Sequence, residues 1–314
     1  MAADEVLTIG RIGVDLYPEQ IGVPLAEVST FAKFLGGSPA NVAVAAARYG
    51  RRSAIITRTG ADPFGEFLHR ALRGFGVSDR FVTPVPGLPT PITFCEIFPP
   101  DDFPLLFYRY PKAPDLEIHA GDLDLGAIRA ARVFWMTGTG LSQDPSRTAT
   151  LRALEARDRA GMTVFDLDYR PMFWPSRDEA RRYYDRALPH CTIAVGNLDE
   201  CFTAVGTRDP ADAVAALHAA GVDLAVVKQG PDGVTASRRS TGEFVRVPPV
   251  PIEVVNGLGA GDAFGGALCH GLLSGWDLAT TLRFGNAAGA LVASRLACAD
   301  AMPTEPEVRA LLRR

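Results

Sequence analysis

Apolar residues recur along this chain in two rhythms. In ARVFWMTG, MTVFDLDYR, CTIAVGN and DLAVVKQG they are more continuous than strictly alternating, and these segments follow one another at intervals of roughly 30 residues. Such continuity suits strands covered on both faces of a parallel sheet, and the interval suits repeated βαβ units. Residues 146–159, 178–188 and 210–220 read as the intervening helices. Ala213, Val214 and Leu217 give the last an apolar stripe, and Gly221 follows as its stop. Nearer the amino end, Val6–Ile9 reads as a strand, and GGSPANVAVAAARYG as a glycine turn entering a helix on which Asn41, Ala45 and Arg48 share helical spacing. Residues 11–34 are too many for a minimal connection and predict an inserted strand pair. Residues 91–98 and 105–110 predict a hairpin, turned by Pro99, Pro100, Asp101 and Asp102.

The expected architecture is α/β, a largely parallel sheet with helices on both faces and a small β-sheet lid across its carboxyl edge. Ligands of such sheets bind beside the carboxyl ends of the strands. The 314 residues are 47% apolar and 22% charged, which fits a folded globular protein and excludes a short disordered adaptor. A net charge of −4 gives no support to broad nucleic-acid binding. MAADEVLTIGRIGVDLYPEQ lacks a basic leader with an apolar core, so the cytoplasm is the expected location. The weakly charged stretch VVNGLGAGDAFGGALCHGLLSGW is broken by Asp262 and many glycines and reads as a turn and helix, not a membrane span. Cys95, Cys191, Cys201, Cys269 and Cys298 form no C-x-x-C pair and read as isolated buried thiols. The five histidines are likewise scattered.

Candidate chemistry gathers at two glycine turns. In Asn256-Gly257-Leu258-Gly259-Ala260-Gly261-Asp262 the small residues let an anion approach the backbone, and the helix that follows directs its first N–H groups toward it. Asp262 would then be placed to take a proton from an alcohol while Gly259, Ala260 and Gly261 stabilise developing phosphoryl charge. The alternative reading makes Asp262 a helix cap and the glycines packing residues. No Walker A loop accompanies the turn, and its place late in the chain argues against a dinucleotide fingerprint. Near the other end, Asp15 and Asn41 would bind alcohol groups while Gly36 and Gly37 expose backbone groups and leave room for substrate, or all four serve ordinary local roles.

GGSPANVA together with GAGDAF resembles the ribokinase-like, or PfkB, carbohydrate kinases over nearly the whole chain. The resemblance implies a ribokinase-like three-layer fold, with a core of residues 1–12, 35–88 and 113–314 and a discontinuous lid of 13–34 and 89–112. It implies ATP and Mg²⁺ as cofactors, Asp262 as the catalytic base, the preceding turn as an anion hole, and Asp15, Gly36, Gly37 and Asn41 as sugar ligands. DLDYRPMFW matches the family's D-x-N-x-R-x-x-L-W through Asp166, Arg170 and Trp174 but departs from it at Asp168 and Phe173. By the same resemblance Asn197 and Glu200 organise magnesium and phosphate, in part through water, while Lys228, Gly230, Gly233 and Asn286 lie on the nucleotide side. Asn256 and Gly257 stand where the family often has Asp-Thr, which weakens a monovalent-cation site.

Within the family, GRIGVDLYPEQIG, FCEIFPPDDFPLLFYRYPKAPD, VKQGPDGV and CADAMPT resemble members that phosphorylate a sugar acid during inositol degradation. A charge argument points the same way. Arg109 and Lys112 after the lid strand, and Arg170 after a core strand, are cations suited to orient a carboxylate. Phe107 and Tyr108 are candidate pocket walls, and Asp300 a candidate visitor to the sugar site. The resemblance also implies homodimer pairing through lid surfaces, while charge and hydropathy predict no nucleic-acid or membrane partner. The competing enzyme readings are a 2-dehydro-3-deoxygluconokinase, a fructokinase or a ribokinase, and a noncatalytic sugar sensor is the competing class.

Overall fold

In a computed structural model the structure describes residues 3–313. Strand β1 (Val6–Ile9) is followed by β2 (Gly13–Pro18) and β3 (Phe31–Gly36), the pair that the long 11–34 stretch predicts. Helix α1 (Ser38–Arg48) enters from Gly37, whose φ of 102° is open to glycine and strained for other residues. Next come β4 (Ser53–Gly60), α2 (Pro63–Gly74), β5 (Val77–Ser78) and β6 (Val82–Val85). The predicted hairpin is β7 (Ile92–Cys95) and β8 (Leu105–Tyr108). Strand and helix then alternate through α3 (Leu125–Ala130), β9 (Val133–Thr137), α4 (Ser146–Arg157), β10 (Met162–Asp166), α5 (Arg177–Ala187) and β11 (Ile193–Asn197). The alternation runs on through α6 (Leu198–Val205), α7 (Pro210–Ala219) and β12 (Leu224–Lys228) to the hairpin β13 (Val234–Arg238) and β14 (Glu243–Val247). Helices α8 (Ala260–Leu273), α9 (Leu278–Ala293) and α10 (Glu305–Leu311) end the described chain. No helix among the described residues is long and apolar enough to cross a membrane.

The chain divides into two compact units, one of Met1–Gly10 with Leu116–Pro249 and the other of Arg11–Asp115 with Val250–Arg314. In the first unit the strand order is β14-β13-β12-β11-β10-β9-β1. Strands β1 and β9 to β12 run parallel, and β13 and β14 add an antiparallel edge. Leu7, Phe134, Phe165, Val195 and Val226 are buried from both sides, which is why their segments read as near-continuous apolar runs. Helix α4 stops at Arg157, two residues short of the predicted end, because Asp158 and Arg159 turn to φ of 48° and 59°. The buried Arg157 guanidinium then donates to the carbonyls of Ile128, Arg132 and Met162 and to Thr163 Oγ1.

The second unit carries a four-stranded sheet in the order β3-β2-β7-β8, while β4 pairs with β5 and β6. Helix α8 packs on α1 and α9. Gly266 faces Ala45 so closely that a Cβ at 266 would collide with it, so the two helices approach backbone to backbone. That approach brings the amino end of α8 beside the first turn of α1.

Candidate active site

Ser38 and Asn41 lie three apart on the first turn of α1 and so share a face. Ser38 Oγ donates to Asp262 Oδ1 at 2.7 Å and Asn41 Nδ2 donates to Asp262 Oδ2 at 2.8 Å. Asp262 therefore does not cap its own helix. Gly259, with φ of 80°, holds the N-cap position, and Asp262 lies in the first turn, where the helix dipole favours negative charge. Both carboxylate oxygens are oriented by neutral donors from α1. Ala260 and Gly261 begin α8 beside this carboxylate. The Asn41 Oδ1 is buried and has no hydrogen-bond partner, leaving an acceptor at the same place.

Asp15 on β2 reaches the same group. A Cβ on Gly36 would overlap the Asp15 carboxylate, so glycine at 36 is what lets the buried acid lie against β3. Burial pushes the Asp15 carboxyl up to about 6, with bonds from Tyr17 and Thr93 and the charge of Arg11 opposing the rise and the Asp262 carboxylate adding to it. The bonds from Ser38 and Asn41 to Asp262 bring the two glycine turns together. Gly37 is equally constrained, since a Cβ there would approach the Arg11 carbonyl oxygen to 2.6 Å.

The register Asp15↔Thr93↔Phe107 puts Phe107 on Asp15's face of the small sheet, whereas Tyr108 points to the other face and is exposed. The two aromatic wall candidates thus separate. Arg109 Nη2 donates to Asp115 Oδ2 at 2.7 Å, with side-chain exposures of 14% and 2%. The guanidinium is thereby anchored by a carboxylate of its own unit. Lys112 is half-buried, and Asp300 is exposed in the turn Ala299–Ala301.

A second polar cluster belongs to the first unit, at the carboxyl ends of the parallel strands. Register Asn197↔Lys228 sets these two side by side. Asn197 and Glu200 form a capping box on α6: Asn197 Oδ1 accepts from the Glu200 N–H at 2.9 Å and Glu200 Oε2 from the Asn197 N–H at 2.7 Å. Burial pushes the Glu200 carboxyl above its ordinary value, Lys228 and the Asn197 N–H oppose the rise, and Asp168 adds to it. Asp168, which replaces the family's Asn, accepts from Thr139 Oγ1 at 2.8 Å and from Arg170 Nε at 3.0 Å. Arg170 is thus tied to a chain carboxylate, as Arg109 is. Among the described residues no group of three or more His, Cys, Asp or Glu side chains could hold a metal ion. A Mg²⁺ that keeps its waters and binds chiefly to phosphate needs few protein ligands.

Gly230 and Gly233 take φ of 57° and 86°, and a Cβ on Gly233 would strike the Val247 carbonyl, so that turn is also required by β14. Asn286 sits one turn before Gly289, where α9 crosses Ala260 at the start of α8. Asn256 commits both ends of its amide to the chain, donating to the Leu296 carbonyl at 2.7 Å and accepting from the Leu258 N–H at 3.0 Å. All five cysteines are free and buried.

Sequence reasoning passed over Ser38, though its spacing from Asn41 in SPAN places it on the same helical face. It also passed over Thr139 and over Tyr17 and Cys298, which lie within 2.9 Å and 2.8 Å contacts of the Asp15 group. The i,i+2 spacing from Asp15 would have placed Tyr17 on the same strand face. Nothing near Cys298 in the sequence signals its contact.

The sequence model described as pfkB family carbohydrate kinase matches residues 3–305. The chain is 36% identical over 312 residues to a 5-dehydro-2-deoxygluconokinase of Shouchella clausii, covering 98% of this chain and 95% of the relative. It is 34% identical over 311 residues to a 5-dehydro-2-deoxygluconokinase of Geobacillus kaustophilus, covering 97% and 92%. Its fold matches that of a candidate ribokinase II of E. coli solved with ATP and Mg²⁺, at a TM-score of 0.89 and 25% identity, with 100% of each chain covered. The fold is ribokinase-like, with a mainly parallel central sheet and a small separate sheet.

Proposed function

The chain belongs to the pfkB family of carbohydrate kinases and is a sugar phosphotransferase; on that premise we propose that it transfers the γ-phosphoryl group of ATP to the C6 hydroxyl of 5-dehydro-2-deoxygluconate. The observation that carries the reading is the Asp262 carboxylate, oriented by Ser38 and Asn41 at the first turn of α8, in a chain whose full-length relatives carry that activity in their names. Asp262 takes the acceptor's hydroxyl proton as the oxygen–phosphorus bond forms and the bond to ADP breaks. The N–H groups of Gly259, Ala260 and Gly261 face the negative charge that builds on the transferred group. Asp15, Asn41 and the small residues Gly36 and Gly37 receive the acceptor's hydroxyls.

On the first unit, Lys228, the Gly230–Gly233 turn and Glu200 are assigned to the nucleotide side, with Asn286 of α9 as an adenine-side residue. The E. coli neighbour, solved with ATP and Mg²⁺, supports these cofactors. Magnesium would be held by phosphate oxygens and water with Glu200 and Asn197 behind the water, and it would screen phosphate charge. Arg109, held in one direction by Asp115, orients the acid's carboxylate, Lys112 adds diffuse attraction, and Arg170 serves phosphate or carboxylate from its anchor on Asp168. The sheet of β2, β3, β7 and β8 is the proposed lid.

The test is turnover of the purified chain with ATP against 5-dehydro-2-deoxygluconate, 2-dehydro-3-deoxygluconate, fructose and ribose, with each product identified. The highest kcat/KM should fall on 5-dehydro-2-deoxygluconate, phosphorylated at C6. A higher value on another acceptor overturns the substrate, and binding of sugar and nucleotide without turnover would turn the reading to a sensor.

A further inference from the structure

Behind Asp15 lies a hydrogen-bond chain that the phosphotransfer chemistry above does not use. Tyr17 follows Asp15 by two residues on β2, and its hydroxyl donates to Asp15 Oδ2 at 2.9 Å while lying 2.8 Å from Cys298 Sγ. Tyr17 is 1% exposed, Cys298 3% and Asp15 7%. Around them are Cys95, Ile97, Phe34, Phe103, Leu105 and Leu258, an apolar setting in which phenylalanine would fill the space of tyrosine. A hydroxyl in such a place costs stability unless it is bonded, so packing alone does not account for it.

We propose that Tyr17 and Cys298 are positioning residues that orient Asp15 and set its charge state for the acceptor hydroxyl, and that they couple it to the anion turn through Gly259. The proposal rests on the reading of Asp15 as an acceptor ligand. Proton counting supports the first part. Tyr17 has one hydroxyl proton; when it goes to an ionised Asp15, the thiol must donate to Tyr17 Oη, and the chain runs from sulfur to carboxylate. When Asp15 is protonated the chain can reverse, with the carboxyl donating to Tyr17 and Tyr17 to sulfur. Both charge states of Asp15 are therefore satisfied without moving a heavy atom. The second part rests on close approach: a Cβ on Gly259 would lie 2.7 Å from Cys298 Sγ, so the thiol fills the space that glycine leaves at the N-cap of α8.

The groups facing Asp15 are few. Tyr17 on β2, Thr93 on β7 and Arg11 after β1 favour its ionised form, Asp262 on α8 disfavours it, and the thiols of Cys95 and Cys298 stay neutral because burial pushes both up, Cys95 to about 12 and Cys298 well above the usual thiol value. Gly36 on β3 brings no side chain. Removing the Tyr17 hydroxyl takes away one of the three groups that hold Asp15 ionised.

The experiment uses the full chain and the variants Tyr17→Phe, Cys298→Ala, Cys298→Ser and Asp15→Asn. The acceptor's KM, kcat and the acid limb of kcat/KM are measured from about pH 5 to about pH 9, and the Asp15 carboxyl is titrated by ¹³C chemical shift in the ligand-free protein. Tyr17→Phe should raise the acceptor KM about tenfold with a smaller change in kcat, and move the acid limb and the Asp15 titration up by ~1 pH unit. Cys298→Ala should move all three the same way by less, and Cys298→Ser, which keeps a donor, should restore them. An unmoved Asp15 titration in Tyr17→Phe and Cys298→Ala overturns the relay, as does a Ser variant no better than Ala. If Tyr17→Phe does not fold, the contrast between Cys298→Ala and Cys298→Ser decides alone. Wild-type acceptor KM in Asp15→Asn would defeat the reading of Asp15 as an acceptor ligand, while the ligand-free titration still judges the hydrogen-bond chain.

Discussion

The two polar clusters differ in what compensates their carboxylates. On the first unit, Asp168 and Glu200 lie among cations: Arg170 bonds Asp168, and Lys228 and Arg170 both favour the charged Glu200. On the second, Asp262 is held by a serine and an asparagine, and Asp15 by a tyrosine and a threonine, with one arginine nearby. Burial still pushes the Glu200 carboxyl up, but its cations oppose the rise, which suits a group proposed to sit beside phosphate and metal. Carboxylates held by neutral donors keep a proton affinity that a reacting alcohol can use. The division of labour proposed above for phosphoryl transfer would then rest on a difference in the partners each unit supplies.

The strongest way to break this contrast is Asp262→Asn. It keeps the size and one acceptor of the side chain, so folding and nucleotide affinity should stay near wild type while kcat falls about 10²- to 10⁴-fold. Calorimetric ATP binding beside steady-state turnover checks it, and a near-normal kcat in a folded variant removes the base role.

Next in size is Arg109→Ala. Leaving Asp115 buried without its partner should cost about 3 to 5 kcal/mol of stability, and loss of the oriented guanidinium about 2 to 5 kcal/mol on a sugar acid with much less on a neutral sugar. The double variant Arg109→Met with Asp115→Leu separates the two effects. Chemical denaturation should show stability recovered while the acid-to-neutral ratio of kcat/KM stays low. A recovered ratio would make Arg109 a structural residue only.

Asp15→Asn sharpens the comparison through stability. The folded Asp15 titrates near 6, against 3.8 for the ordinary side chain. Between those values the folded protein holds the extra proton, so this group's contribution is present below about 3.8 and is lost as the pH rises through about 6. Ionised and buried at neutral pH, it costs roughly 3 kcal/mol. The Asn variant should therefore gain on wild type in melting temperature as the pH rises from about 4 to about 7, then gain no further. A difference that does not vary with pH would show that Asp15 is not buried as a charge.

The smallest effect belongs to Glu200→Gln. An amide oxygen can still cap the Asn197 N–H, so stability should change by about 1 kcal/mol or less, while the Mg²⁺ concentration for half-maximal turnover rises. An unchanged Mg²⁺ dependence would place Glu200 in helix capping alone.

Much of this molecule was legible before any tertiary contact was considered. The parallel strands showed as near-continuous apolar runs because both sheet faces are covered. The helices showed through spacing and stops such as Gly221, with φ of 103°, and the hairpin through its Pro-Pro-Asp-Asp turn. The glycine turns were visible for the same local reason: positive φ at Gly37 and Gly259 leaves little choice of residue. Motif matches went further and assigned Asp262, Asp15 and Asn41 before their distances were known.

What remained for the tertiary structure were the partners. Asn41 and Asp262 are 221 residues apart and Tyr17 and Cys298 are 281; such contacts depend on how whole elements pack, here on Gly266 letting α8 close on α1 and on Gly36 and Gly259 leaving room for Asp15 and the thiol. Arg109 and Asp115 show the same limit at short range. The sequence displays the cation and the acid six residues apart, but only the fold shows that burial makes them each other's partner. Residue type and local backbone geometry determine which chemistry is present, and desolvation in the folded chain determines which groups carry charge and where they point.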